Sequence, residues 1–441
     1  MNGRRSSWLL ASAVLAITGC NVEFPVRITA CRDAPDDTRV NERGDQNEFT
    51  GHPLAAAALG NGRVLVAFQA QTFDNTTGET LTSEVRIAVL DQATGEPITL
   101  CNTSNRDRTL STEGVIAFGA SVAPVDLTIG VSKAVALVAW TEGDMLPDSF
   151  VEMRFIDGAG CPLAVPFRPY AGPALTSSIA WSEHRHAVLA TLTDERNIYR
   201  AWVSSVGSTD TVSVAATQQG FFYGFPVGAV ASDGSAVVVW AKNVAGAFGI
   251  LLDPDGNPRA SAGSSGDEMA FPIDLPLITQ DDQVEFLLSV AAADQFVIAA
   301  EQRALNRSVP SRVMAREYAL GGTALGPAYL LDPSDSQDQG APTFRYAPEG
   351  TLVAVWDSTA AGGTVGRLFG AGGSARFNTS SCDDGRFSTG ERTKTMFGYP
   401  SLLVSNGRVL VAHNGEGGGD PLGSATFMWN LQFAALWPGP Q

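Results

Sequence analysis

Apolar and polar positions alternate along most of this chain in short runs, and the runs end on glycine, proline, asparagine or aspartate rather than on helix caps. That period predicts strands. Asn61-Gly62-Arg63-Val64-Leu65-Val66-Ala67 recurs unchanged as Asn406-Gly407-Arg408-Val409-Leu410-Val411-Ala412, so the chain repeats internally. The repeated frame is a proline, a short strand, a glycine turn and a β-branched strand ending in an aromatic. It returns at Pro226 to Trp240 and Pro342 to Trp356. The turn glycine follows its proline closely in each copy, from Pro53 to Gly62, Pro226 to Gly234, Pro342 to Gly350 and Pro400 to Gly407, which is hairpin spacing. Weaker copies at Ser121 to Trp140, Thr176 to Thr191 and Leu287 to Ala300 raise the units to seven. A third alternating strand follows several hairpins, as in Glu84 to Leu90 and Val151 to Ile156, and closes on turns at Asp91 to Gly95, Asp157 to Gly160 or Asp253 to Pro258.

Each unit is then three or four antiparallel strands in roughly 40 to 70 residues, close to the length of a propeller blade. One such sheet cannot bury both faces alone, and twisted sheets that stack radially close into a ring. The expected fold class is all-β, a β-propeller of about seven blades. First strands are rich in small residues, as in Ala55 to Ala58, Ala229 to Ser232 and Ser289 to Ala293, which suits a crowded axis. Pairing of Val22 to Cys31 with Phe427 to Trp437 is expected to close the ring between the chain ends.

The first residues carry a different pattern. Arg4 and Arg5 precede the apolar run Trp8 to Ile17, which is too short to span a bilayer and ends in Ile17-Thr18-Gly19-Cys20. That ending resembles the lipobox of bacterial lipoproteins. The resemblance implies cleavage before Cys20, diacylation of its thiol and a tether stronger than a single myristoyl chain provides. Asn21 after the cysteine implies transfer to the outer membrane. Arg4-Arg5 also opens a twin-arginine export reading, although the hydrophobic residue that motif wants stands one place late at Trp8. Residues 1–19 are therefore expected to be signal peptide, 20–50 an anchored segment and 51–441 the repeat domain.

Composition narrows the partners. The chain has 29 Lys and Arg against 46 Asp and Glu, and loss of Arg4 and Arg5 with the signal moves the net charge from −17 to −19. Nucleic acid and anionic membrane surfaces are thereby disfavoured. Membrane association through the lipid and a protein or glycan partner on the loops of one ring face are expected. Four cysteines remain besides Cys20, an even count that suits an oxidising compartment. Chain order around the ring predicts the pairs Cys101 with Cys161 and Cys31 with Cys382.

Candidate chemistry is sparse. Among the four histidines His52, His184, His186 and His413, His184-Arg185-His186 would set two imidazoles on one face of a strand, but nothing nearby completes a metal site. Asp253-Pro254-Asp255-Gly256-Asn257 opens like a calcium loop, yet Ser264 stands where the bidentate acid belongs. Ser232-Asp233-Gly234-Ser235 with Trp240 resembles the Asp-box of sialidase-like propellers, in which the box is a structural turn. Arg86, Arg154, Arg316 and Arg367 fall on third strands, away from the axis. Gly415-Glu416-Gly417-Gly418-Gly419-Asp420 is glycine-rich but opens no helix. Phe68, Trp140, Trp240 and Trp356 hold equivalent second-strand ends and read as packing between sheets. No residue is expected to be catalytic, and no cofactor or metal is expected. The reading is a non-catalytic binding or scaffold propeller. A glycan-processing hydrolase or lyase is the alternative, and it requires two acids and an arginine or histidine converging on the axis.

Overall fold

The computed structural model describes residues 38–39, 48–73, 80–94, 96–101, 107–143, 147–194, 196–206, 208–216, 225–241, 246–260, 269–279, 284–333, 336–347, 350–359, 363–370, 386–388, 401–405, 408–416 and 424–432. The described residues form strands and turns without a helix, and so contain no helix long and apolar enough to cross a membrane. They build seven antiparallel sheets. The inner strands, in ring order, are Glu48–Gly60, Ala117–Ile129, Leu175–Ser182, Val227–Val230, Val284–Ala292, Gln339–Tyr346 and Ser401–Ser405. Each packs against the next, and the last packs against the first, so the sheets are blades 1 to 7 of a closed ring. The fold is a β-propeller.

Blade order follows chain order except at the seam. Blade 7 takes Ser401–Ser405, Arg408–Glu416 and Ser424–Gln432 from the C-terminal part and Thr38–Arg39 from the N-terminal part. Thr38 stands opposite Met428 and Arg39 opposite Phe427. The chain ends therefore do meet, but through residues 38–39, and residues 22–31 lie outside the described residues. Such a strand satisfies an edge that would otherwise face solvent.

The hairpin signals fall where the strands turn. Asn61 and Gly62 both have positive φ, 52° and 69°, as a two-residue turn between right-twisted strands requires. The second-strand aromatics, with Phe68 at mid-strand rather than at a strand end, all face the preceding blade. Phe68 packs with Leu410 and Ala412 of blade 7, Trp140 with Leu65 and Ile87 of blade 1, Trp240 with Leu189 and Ile198 of blade 3, and Trp356 with Val297 and Ala299 of blade 5. They are the keystones of the seams between blades, and each is buried.

Third-strand arginines have a repeated task. Nε of Arg154 donates to the Ala164 carbonyl at 2.7 Å and Nε of Arg316 to the Gly326 carbonyl at 2.8 Å, while Arg200 Nη1 reaches the Asp210 carbonyl at 3.3 Å. In all three the acceptor lies ten residues ahead, so the guanidinium clasps the chain on the outer flank of its own blade. Arg86 pairs with Glu84, and Arg367 reaches the Leu331 carbonyl of blade 5. Cys101, after the outer strand of blade 1, is disulfide-bonded to Cys161, after the third strand of blade 2, with Cα atoms 5.2 Å apart. Cys20, Cys31 and Cys382 lie outside the described residues.

Candidate functional site

A propeller has two unlike ends. On one, inner strands turn into second strands through tight hairpins, and third strands turn into outer ones. On the other, second strands hand over to third strands, and each outer strand crosses to the next blade. We call the latter the loop face.

Charged groups at the loop face of blades 2 and 3 are consumed by local structure. Glu142 accepts the Thr112 N–H at 2.7 Å, the Thr112 hydroxyl at 3.0 Å and the Trp140 indole N–H at 3.0 Å, which locks the crossing from blade 1 onto blade 2. Asp194, in the turn between the second and third strands of blade 3, accepts the N–H groups of Arg196 and Asn197, both at 2.6 Å, and the Tyr199 hydroxyl at 2.8 Å. Burial raises its pKa, but the Asn197 side-chain amide, which donates to both carboxylate oxygens at 3.2 and 3.0 Å, together with these bonds outweighs burial and holds the carboxyl below its ordinary value. Tyr199 is pushed up in turn, by burial first and then by its bonds to Tyr170 and Asp194.

Blade 5 differs. Its inner strand begins Val284-Glu285-Phe286-Leu287, and its second strand ends Glu301-Gln302-Arg303-Ala304. Glu285 is paired with Arg303 and Leu287 with Glu301. Because side chains alternate across a strand, Glu285, Glu301 and Arg303 all stand on one face of the sheet, the face turned to blade 6. Glu301 is buried, its side chain 2% exposed. Its Oε1 accepts Nη2 of Arg303 at 2.7 Å, and its Oε2 accepts the Ala341 N–H of blade 6 at 2.9 Å. Glu285 is exposed at the rim. Burial pushes the Glu301 carboxyl above its ordinary value against the pull of the Ala341 N–H and Arg303, and the Glu285 charge pushes the same way. The scaffold behind is fixed by buried amides. Gln302 Nε2 donates to the Pro276 carbonyl at 2.9 Å, and Gln339 Nε2 donates to the Asp332 carbonyl at 2.8 Å. Two carboxyls in contrasting surroundings beside a guanidinium can divide the work of an acid and a base.

Comparison with solved structures finds likenesses that span most of the chain. An α-L-arabinofuranosidase from Fusarium graminearum, in complex with an iminosugar inhibitor, matches with 10% identity over 91% of this chain and 98% of its own, at a TM-score of 0.46. A polysaccharide lyase matches with 9% identity over 89% and 91%, at 0.49. A protein of unknown function from Dyadobacter fermentans matches with 12% identity over 91% and 98%, at 0.48. Likeness at this level is one of fold. No family model and no curated protein matches the chain. The glycoside hydrolases and the lyase among these neighbours overturn the expectation of a non-catalytic binding or scaffold module, and with it the expectation that the chain is not an enzyme.

The residues singled out from the sequence lie elsewhere. His184, Arg185 and His186 occupy a hairpin turn of blade 3 and not a strand, with His186 at φ 46°. A tight turn splays successive side chains, and Arg185 stacks 4.7 Å over the Trp202 ring instead. Asp253 Oδ1 accepts the Asn257 N–H at 2.8 Å and Asp233 Oδ1 accepts the Ser235 N–H at 2.8 Å, so both segments are side-chain-capped turns on the end opposite the loop face. Gly415 and Glu416 end a strand, and residues 417–420 lie outside the described residues. The blade 5 glutamates fall just outside the repeat copy from Leu287 to Ala300, Glu285 two residues before it and Glu301 one residue after it. The signal was there: an apolar hairpin whose loop-face ends both carry charge.

Proposed function

We propose that this chain is an envelope lipoprotein, tethered through lipid on Cys20, whose propeller hydrolyses a glycan at the loop face between blades 5 and 6. One observation carries the reading: Glu285, Arg303 and Glu301 share a sheet face at the rim, and the buried one of the two carboxyls holds its proton more tightly than usual. Glu301 is the general acid, passing its proton to the departing glycosidic oxygen. Glu285 is the second carboxylate, which takes a proton from the attacking water or attacks the sugar itself. Arg303, paired with Glu301 at rest, orients a sugar hydroxyl, and as it turns to the substrate it leaves Glu301 more strongly acid-retaining until transfer. An excess of acidic side chains repels polyanions, which favours an uncharged glycan.

Purified protein assayed on a panel of neutral plant and microbial polysaccharides should release reducing ends with saturation, and Glu301→Gln should slow the release by about 10²-fold or more. Absence of turnover across the panel, or turnover that survives both Glu301→Gln and Glu285→Gln, overturns the catalytic reading. The anchor is tested separately, by incorporation of labelled palmitate that Cys20→Ala should eliminate.

A further inference from the structure

The Glu301 carboxyl is held from the neighbouring blade by an irregular stretch of backbone. In the inner strand of blade 6, Gly340 pairs with Asp357 and Thr343 with Val355, so Ala341 and Pro342 together stand against the single residue Trp356. This is a β-bulge, and bulges re-aim groups at the rims of sheets. Ala341 has φ 49°, a left-handed conformation unusual for alanine and further disfavoured by the proline that follows. Pro342 has no N–H to give the ladder. The Ala341 N–H is turned out of the ladder and onto Glu301 Oε2 at 2.9 Å. Gly340 makes room for this, since a Cβ there would lie 2.9 Å from the same oxygen and 3.1 Å from the carboxyl carbon.

We infer that the Gly340–Ala341–Pro342 bulge is a positioning device for Glu301, its strained backbone aiming one N–H at the carboxyl while the missing side chain leaves the carboxyl space. The inference deepens the hydrolytic reading and depends on it only for its purpose. An N–H donor favours the charged form, so the bulge opposes burial and keeps the Glu301 proton transferable. Among the described residues, the other titratable groups at hand are Glu285 and Arg303 on blade 5 and Asp357 opposite Gly340, whose Oδ1 accepts the Thr364 hydroxyl at 2.8 Å.

Carbon-detected NMR titration of side-chain carboxyls, with Glu301 assigned through Glu301→Gln, tests this without any substrate. In the unaltered protein the Ala341 amide proton should titrate with the same midpoint as the Glu301 carboxyl. Gly340→Ala, which displaces the carboxyl, and Ala341→Val, which β-branching expels from the left-handed region, should each raise that midpoint by about one unit, a tenfold change in proton affinity. Ala341→Gly keeps the N–H in place and should leave the midpoint unchanged. An Ala341 amide indifferent to the Glu301 titration overturns the inference, even where a variant does not fold, and so does a shift of about one unit in Ala341→Gly. Coupling without glycan turnover removes the catalytic reading and leaves the bulge inference standing. Turnover that needs Glu301 but shows no coupling does the reverse.

Discussion

Asp194 and Glu301 stand at the same level of the ring, each where a second strand meets the loop face, and their proton equilibria are displaced in opposite directions. Asp194 sits in its own turn and collects N–H and O–H donors from residues within five positions of it. Those bonds form as soon as the hairpin forms, and they favour the ionised carboxylate. Glu301 has one donor from its own strand and one from a residue 40 positions away, and burial against the next blade outweighs both. The contrast shows how one architecture makes a structural carboxylate and a reactive one: donors supplied by the local turn stabilise charge, while burial supplied by the neighbouring blade opposes it.

The largest effect expected from breaking this comparison is on catalysis. Glu301→Gln removes the proton donor while keeping shape, and kcat should fall by about 10²- to 10⁴-fold, the usual worth of general acid catalysis. Asp194→Asn should leave kcat and KM near their original values in the same assay.

Stability should show the opposite order. Asp194→Asn loses charge-assisted bonds, and denaturant titration at neutral pH should read a loss of about 1–3 kcal/mol. Because the folded pKa of Asp194 is depressed, its contribution is present above the unfolded value near 4 and lost as pH falls through the folded value. The two curves should therefore converge in acid. Glu301 has a raised folded pKa, so its contribution is full below the unfolded value and lost as pH rises through the folded one. Glu301→Gln, which cannot ionise, should thus gain on the original protein as pH rises across that window. Parallel stability curves for either pair would break the comparison.

The smallest expected effect concerns the tyrosine that caps Asp194. Tyr199→Phe should cost about 0.5–1.5 kcal/mol, and its cost should shrink in the Asp194→Asn background, since the double-mutant cycle isolates the bond between them. Additive losses would place the stabilisation elsewhere, in the hydrogen bond that the Tyr199 hydroxyl accepts from the Tyr170 hydroxyl at 3.3 Å.

Legibility in the sequence followed the range of the interactions involved. The Asn61-Gly62 turn and the strand period depend on neighbours within a dozen residues, and the recurrence of Trp140, Trp240 and Trp356 in the repeat marks which sheet faces must be covered, so the blades and their stacking are readable directly. The ring seam was less legible. Two residues, Thr38 and Arg39, complete blade 7, and so short a segment has no periodicity to betray it.

The candidate site was less legible still. Glu301 follows Ala299-Ala300 and precedes Gln302-Arg303, which in one dimension reads as a solvated strand end. Only when blade 6 docks does the Gly340–Ala341 bulge seal its carboxyl from water. What the sequence alone determined is the unit: its strands, its turns and the apolar keystones that oblige each sheet to find a neighbour, because local periodicity encodes which faces must be buried. Tertiary structure alone decided which charged side chain would be desolvated and which would be solvated, because desolvation comes from atoms of another blade, and no local pattern records how closely those atoms approach.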